Sequence, residues 1–315
     1  MSQSKGFVFD IYRGTTHDGP GMRTTVFFKG CPLNCLWCHN PESISIKNQI
    51  WWDKTQCIGC MECAKTCKNI SFDKKGFLKD ENCRFCGKCV EACPAKALSF
   101  IGKYQDVQTL LKEVKKYEVY YKTYGGGVTV SGGEPLLQSD FVKEFFEKCK
   151  ENKIHTALDT CGAVPFECFE KVLPFTDCIL YDLKLMDSQL HKKYTGQGNE
   201  KILDNLLKIS YLIKNKKINA ELWIRTPLIK DITATKENIS AEFEFLKENL
   251  LDTVSRIEFC TFNKACVNKY EKLGVEWSLS HYPLIGSTEI EEIRKIALNK
   301  GIDDEKIVIS GITTQ

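Results

Sequence analysis

Eleven cysteines crowd into residues 31–93, at spacings that hydrophobic packing does not require. The first group, Cys31-Pro32-Leu33-Asn34-Cys35-Leu36-Trp37-Cys38, is a C-x3-C-x2-C pattern. The second is a C-x2-C-x2-C-x3-C run written twice, as Cys57, Cys60, Cys63, Cys67 and as Cys83, Cys86, Cys89, Cys93. Thiolates spaced in this second way hold iron–sulfur clusters. The first group differs because it offers only three. A cubane cluster has four irons, so three cysteines leave one iron without a protein ligand. An open iron can bind and act on a further molecule, whereas a fully ligated cluster only passes electrons. Zinc is the alternative in both places. Structural zinc takes four protein ligands, and no fourth stands near Cys31–Cys38.

The chain has 315 residues, enough for one large domain or two smaller ones. With 43% hydrophobic and 27% charged residues its composition is that of a globular protein. A net charge of +3 argues against a nucleic-acid or membrane-surface partner, and lysine far outnumbers arginine. Residues 1–14 lack the apolar core of a signal peptide, and no stretch approaches a membrane span. The expectation is a cytoplasmic protein whose thiols bind metal rather than form disulfides. Cys149, Cys161, Cys168, Cys178, Cys260 and Cys266 share no ligand spacing and read as small buried hydrophobes.

Residues 5–13 and 24–30 read as short strands, and the three-cysteine loop follows. Residues 46–103 change to short cysteine-rich turns, an insert whose small core would be stapled by metal. It interrupts a framework of residues 1–45 and 104–315. Beyond it, strands and helices alternate. Asp106 can cap a helix carrying Val107, Leu110, Leu111 and Val114. A strand at 128–130 leads to Gly132-Gly133-Glu134, and Ser139 can cap the next helix. Strands at 155–159, 178–184, 221–227, 256–262 and 306–310 alternate with helices near 165–173, 201–214 and 236–250. Thr288 and Glu291 suit a capping box before a further helix. Repeated βα units imply a mostly parallel sheet with helices outside. A full barrel, a partial barrel and an open doubly wound sheet all satisfy this count.

The C-x3-C-x2-C motif resembles that of the radical S-adenosylmethionine (SAM) superfamily. Two further segments, His17-Asp18-Gly19-Pro20-Gly21-Met22-Arg23 and Trp37-Cys38-His39-Asn40-Pro41-Glu42-Ser43, are similar to those of glycyl radical enzyme activating enzymes. The likeness runs over nearly the whole chain. It implies a partial (β/α)6 barrel with an inserted ferredoxin-like domain, SAM lying at the C-terminal ends of the strands. It also implies that the open iron chelates the amino and carboxyl groups of SAM, and that an electron from the cluster splits SAM to a 5′-deoxyadenosyl radical. The doubled run then holds two more 4Fe–4S clusters, three in all. In such runs the fourth cysteine of each half ligates the other cluster. Cys57, Cys60, Cys63 and Cys93 would form one set, and Cys83, Cys86, Cys89 and Cys67 the other.

The resemblance also implies individual roles. Cys31, Cys35 and Cys38 hold the SAM-cleaving cluster, Trp37 packs near the adenine, and Cys38 and His39 share the SAM-contacting stretch. Gly132, Gly133 and Glu134 receive the SAM amino group, although a tight turn alone would explain the glycines. Alternation places Asp182 and Lys184 on one strand face. A salt bridge would explain that pair, while the resemblance sets them against SAM with the lysine near its carboxylate. Asp159, Thr160 and Asp182 would bind a monovalent cation, and Arg225 would lie near SAM or the bound peptide. Cys161 stands where the family commonly has asparagine, and has no assigned role. Asn263 stands where relatives often carry a histidine beside SAM; it can hydrogen-bond but not titrate. Asp18 would contact the glycine loop of a partner.

The function implied is activation of a partner glycyl radical enzyme, by hydrogen-atom abstraction from one backbone glycine, with flavodoxin or ferredoxin as reductant. Two alternatives stand beside it. One is a radical SAM enzyme acting on a small molecule or short peptide; the other is a plain electron-transfer protein. The insert argues against the smallest activases, those serving pyruvate formate-lyase, which lack it.

Overall fold

The computed structural model of the protein describes residues 4–73, 76–79 and 82–311. Its strands, in chain order, are β1 (Lys5–Thr15), β2 (Arg23–Phe28), β3 (Ile50–Trp52), β4 (Ile70–Asp73), β5 (Gly76–Lys79), β6 (Leu98–Phe100), β7 (Lys103–Asp106), β8 (Gly127–Gly132), β9 (His155–Thr160), β10 (Cys178–Asp182), β11 (Glu221–Leu228), β12 (Val254–Thr261) and β13 (Ile307–Ser310). Nine of them form one sheet in the order β13-β12-β11-β10-β9-β8-β2-β1-β7. From β2 to β13 every neighbouring pair is parallel. β1 joins β2 and β7 antiparallel.

This order decides between the architectures left open above. Each βα step moves one strand along the sheet in the same direction. Right-handed crossovers then put the helices on one face. A doubly wound sheet needs a reversal of direction, and the described strands make none. The sheet is a singly wound partial barrel whose edges, β13 and β7, do not pair with each other.

Strand periodicity sorts the side chains. Val128, Val130, Leu158, Ile179, Ile224 and Phe259 face the helices and share one core with them. Helix Ser139–Glu151 contributes Phe145 and Phe146, and helix Lys236–Asn249 contributes Phe243 and Leu246. Alternation sends Thr129, Ser131, Asp159, Asp182, Arg225 and Glu258 to the concave face.

Several local expectations change. Asp106 does cap helix Val107–Lys115, its Oδ1 accepting from Thr109 N at 2.8 Å. Ser139, however, is the first residue of its helix rather than the cap, because a 3-10 turn, Pro135–Gln138, precedes it. The capping interaction of helix Ser287–Asn299 is Glu289 accepting from Gly286 N at 2.8 Å, two residues earlier than Thr288 and Glu291 would give. β10 ends at Asp182, where its register with Arg225 of β11 ends, so Lys184 lies beyond the strand. Helices Glu118–Tyr124, Ser188–Thr195 and Val267–Leu273 were not expected from the sequence.

The cysteine-rich insert is built differently. β3 pairs with β6 and β4 with β5, both antiparallel. Among the described residues, Ile50, Cys63, Ile70, Cys89 and Leu98 form a buried cluster in it.

Candidate active site

A cavity of about 530 Å³ opens over the C-terminal ends of the parallel strands. Its lining reaches from His17, just after β1, to Ser310 and Gly311 at the end of β13. Residues near both edges of the sheet thus meet around one space, as curvature toward a barrel requires.

Cys31, Cys35 and Cys38 stand together on one side of this cavity. Their loop is tied down through its backbone. Tyr270 donates its hydroxyl to Cys38 O at 2.9 Å, and Trp277 Nε1 donates to Leu36 O at 2.7 Å. The two rings stack, with centroids 5.2 Å apart. Asn34 N and Leu36 N donate to Thr195 O and Tyr194 O. Nothing in the local spacing of Tyr270 and Trp277 marks them as supports for a loop more than 200 residues away. Burial pushes the Cys35 thiol up to about 12 and raises Cys38 as well. Such thiols ionise when a metal supplies the compensating charge, so the donor set suits an iron–sulfur cluster.

Gly132 and Gly133 line the same cavity, for a reason rooted in packing. A Cβ on Gly132 would meet Phe28 N at 2.4 Å, and one on Gly133 would meet Gly30 O at 2.1 Å. The glycines let the end of β8 close onto the chain leaving β2, with Gly133 N donating to Phe28 O. Glu134 lies beneath the lining and is fully buried. Its carboxylate accepts from Leu136 N, Thr160 Oγ1 and Cys161 N at 3.0, 2.9 and 2.8 Å. Its side chain therefore organises the β8 and β9 loops rather than facing the cavity.

A row of charge crosses the concave face at strand ends. Arg225 Nη1 stands 3.3 Å from Asp159 Oδ1, and Arg225 Nε stands 3.3 Å from Glu258 Oε2. Ser131 Oγ donates to Asp159 Oδ2 at 2.5 Å. Burial pushes Asp159 up to about 7, with Arg225 opposing the rise. Lys184 Nζ pairs with Asp182 Oδ2 at 2.6 Å. Despite burial, that carboxylate keeps the lysine charged, above its usual range. Thr160 lines the cavity, although its hydroxyl is spent on Glu134. Glu258 and Ser131 were missed in the sequence, yet the alternation of β12 and β8 points both inward.

Trp37 is nearly buried on the cavity wall, 6.4 Å from the Tyr194 ring. His39 and Asn263 meet across the wall, Nε2 to backbone O at 3.1 Å. Burial lowers the His39 pKa, leaving the imidazole neutral at pH 7. Asp18 lies outside the cavity lining, and its Oδ2 accepts from Thr25 Oγ1 at 2.7 Å. Of the six cysteines read as incidental, Cys161 and Cys260 prove to line the cavity.

In the insert, Cys57, Cys60, Cys63 and Cys93 ring one small cavity, and Cys67, Cys83, Cys86 and Cys89 ring another. The fourth cysteine of each run thus stands with the other run. Four thiols around one space fit a 4Fe–4S cluster. An ion pair links the first cavity to the barrel. Asp53, which follows the cavity's lining residue Trp52, pairs with Lys272 at 3.0 Å. Lys272 shares helix Val267–Leu273 with Tyr270, the residue bonded to Cys38 O.

Comparison with known proteins agrees with this geometry. Residues 80–237 match the model of the Radical SAM superfamily, and residues 49–109 match that of a 4Fe-4S dicluster domain. The (2S)-3-sulfopropanediol dehydratase activating enzyme of Klebsiella oxytoca is 39% identical over 89% of this chain and 90% of its own. The 4-hydroxyphenylacetate decarboxylase activating enzyme of Clostridioides difficile (strain CD196) is 36% identical over 96% of both chains. A radical SAM methyltransferase from Sphaerobacter thermophilus shares the fold, with a TM-score of 0.51 at 12% identity, over 95% of this chain and 72% of that one. Among the described residues no helix is long and apolar enough to cross a membrane. The chain belongs to the glycyl radical enzyme activating enzymes of the radical SAM superfamily.

Proposed function

We propose that the cavity beside Cys31, Cys35 and Cys38 holds SAM against a 4Fe–4S cluster and presents it to one backbone glycine of a partner glycyl radical enzyme. The observation that carries this reading is the convergence, in one cavity at the strand ends, of three thiols with no fourth in their loop and a row of buried charge. When bound, the cluster and SAM supply the radical chemistry. The chain's own residues bind, orient and exclude water. Lys184 takes the SAM carboxylate, the backbone of Gly132 and Gly133 takes the amino group, and Trp37 lies along the adenine. His39, Arg225 and Asn263 complete the wall, while Glu134 acts from beneath by holding the β8 and β9 loops. Asp159, Thr160 and Asp182 form the site for a monovalent cation, whose charge would favour ionised Asp159. Neutral His39 and the amide of Asn263 fit a reaction that needs no general acid or base.

In the insert, residues 46–103, Cys57, Cys60, Cys63 and Cys93 would hold one further cluster and Cys67, Cys83, Cys86 and Cys89 another. When bound they would supply further redox centres, and an external flavodoxin or ferredoxin in the cytoplasm would be the reductant. Relatives similar at this level serve a dehydratase and a decarboxylase, so the likeness follows the activation step and not the partner's own reaction.

Anaerobic reconstitution should load about twelve irons per chain, and replacing Cys31, Cys35 and Cys38 by alanine together should leave about eight. SAM cleavage should vanish in that variant. Retained cleavage, or unchanged iron, overturns the assignment. Asp18→Ala tests partner docking. SAM cleavage to deoxyadenosine should persist, while the glycyl radical counted by electron paramagnetic resonance should fall, since abstraction needs the glycine held within reach. If both fall together, Asp18 serves only the turn it braces through Thr25. If neither changes, it has no part in docking.

A further inference from the structure

Asn40 lines the cavity but has no part in the site as assigned. It holds the N-cap position of helix Pro41–Ile44, where an asparagine side chain ordinarily accepts from a backbone N–H of the first turn. Its side chain makes no such bond. The turn closes through its backbone instead, with Asn40 O accepting from Ser43 N at 2.8 Å and from Ser43 Oγ at 2.6 Å. The side chain reaches across to helix Val267–Leu273, where Oδ1 accepts from Lys269 Nζ at 2.6 Å. An ammonium group has only donors. The amide therefore meets it with oxygen, and its NH2 group faces the other way. On that side Nδ2 reaches Gly132 O at 3.5 Å, a contact too long to occupy both of its hydrogens. Gly132 lines the same cavity.

Lys269 is held in turn. Its Nζ pairs with Glu42 Oε1 at 2.8 Å. That carboxylate is buried, and its Oε2 has no hydrogen-bond partner among the described residues. Displacing Lys269 leaves a buried charge unpaired, which is costly. The neighbouring Tyr270 is bonded to Cys38 O, so the helix cannot shift without disturbing the loop of thiols.

We propose that Asn40 binds SAM, its Nδ2 donating to an oxygen of the ligand beside Gly132, and that Lys269 is a positioning residue that locks the amide in this donating orientation. The inference rests on the cavity being the SAM site. A half-turn of the amide would present oxygen to the ligand and NH2 to the ammonium, and the charge-assisted bond to Lys269 opposes it. Lys269 thus acts on SAM only through Asn40.

The test dialyses labelled SAM against the fully reconstituted chain with its clusters oxidised, so that SAM binds without being cleaved, and counts iron in each variant. A parent that binds no SAM overturns the reading of the cavity, and the proposal with it. Asn40→Ala and Asn40→Asp both lack the donor, and Asn40→Asp keeps the shape and the acceptor for Lys269. Each should bind SAM about tenfold more weakly, with iron unchanged. Lys269→Met is made in a Glu42→Gln chain, so that no buried charge is stranded, and is compared with Glu42→Gln alone. It should weaken SAM by about threefold, because a freed amide spends only part of its time donating. Lys269→Arg in the same chain should restore the affinity. Added to Asn40→Ala in that chain, Lys269→Met should cost nothing further. The binding role is overturned if Asn40→Asp matches the parent, or if both Asn40 variants lose about four irons per chain. The positioning role is overturned if Lys269→Met weakens SAM by the same factor with and without Asn40, or has no effect in either.

Discussion

Helix Ser139–Glu151 of the barrel buries Phe141, Phe145 and Phe146 against the sheet. The two insert helices, Glu62–Thr66 and Lys88–Glu91, bury one residue each, and in both it is a cysteine, Cys63 or Cys89. The contrast separates two ways of holding a fold. The barrel core joins side chains from the sheet and from a succession of helices, and apolar burial alone can stabilise it. The insert helices are too short to persist alone, and among the described residues two of the five in its buried cluster are thiols. Whatever binds those thiols is part of the insert's core, so its folding and its metal content are one equilibrium.

The largest expected effect follows from that coupling. Removing iron from the reconstituted protein with a chelator under anaerobic conditions should unravel the insert and spare the barrel. In hydrogen exchange, amides of 62–66 and 88–91 should lose their protection while those of 139–151 keep theirs. Equal loss in both regions, or none in the insert, would break the comparison. The reverse test acts on the barrel. Phe145 is fully buried, and Phe145→Ala should destabilise the barrel by about 3–5 kcal/mol through lost contact and a residual cavity. Iron retained by the thiol-ringed cavities of the insert should not change. A matching loss of insert iron would show that the two regions unfold as one.

How far each region could be read in advance follows the same division. The insert was legible because its information is local: eight thiols at fixed spacings, and a fourth cysteine in each run that the structure sets beside the other run. The order of barrel strands was not legible, since a partial barrel and a doubly wound sheet share the same alternation of elements. Only the pairing of β2 with β8, across nearly 100 intervening residues, and the single direction of every later step separate them. In the site, Asp159, Asp182 and Arg225 were expected from the family resemblance, and all three line the cavity at the strand ends. Glu134 was expected to face the ligand but turns under the wall, because three backbone and hydroxyl donors wait there. Tyr270 and Trp277 carried no signal, since what they hold is distant backbone.

The smallest effect sharpens the comparison from inside the barrel. One of its buried carboxyls is Glu242, on helix Lys236–Asn249, with Thr226 Oγ1 donating to it at 2.6 Å. Burial pushes its pKa from an ordinary 4.5 up to about 8, against that hydrogen bond. Below the ordinary value both folded and unfolded chains hold the proton, and Glu242 costs the fold nothing. As pH rises, the unfolded chain releases its proton first, so the folded state loses stability progressively until its own carboxyl ionises near pH 8. Glu242→Gln cannot ionise and should flatten this decline. The variant should melt close to the parent at pH 5 and above it at pH 8, by on the order of 3 kcal/mol, or several degrees in Tm. A parent-like slope in the variant would mean that water reaches Glu242 in the folded barrel. Iron content should be indifferent to the change at both pH values, because the carboxyl lies on the helix side of the sheet, away from the cysteines. An iron loss that follows pH in the parent but not in Glu242→Gln would tie the barrel's stability to cluster retention and erase the distinction between the two regions.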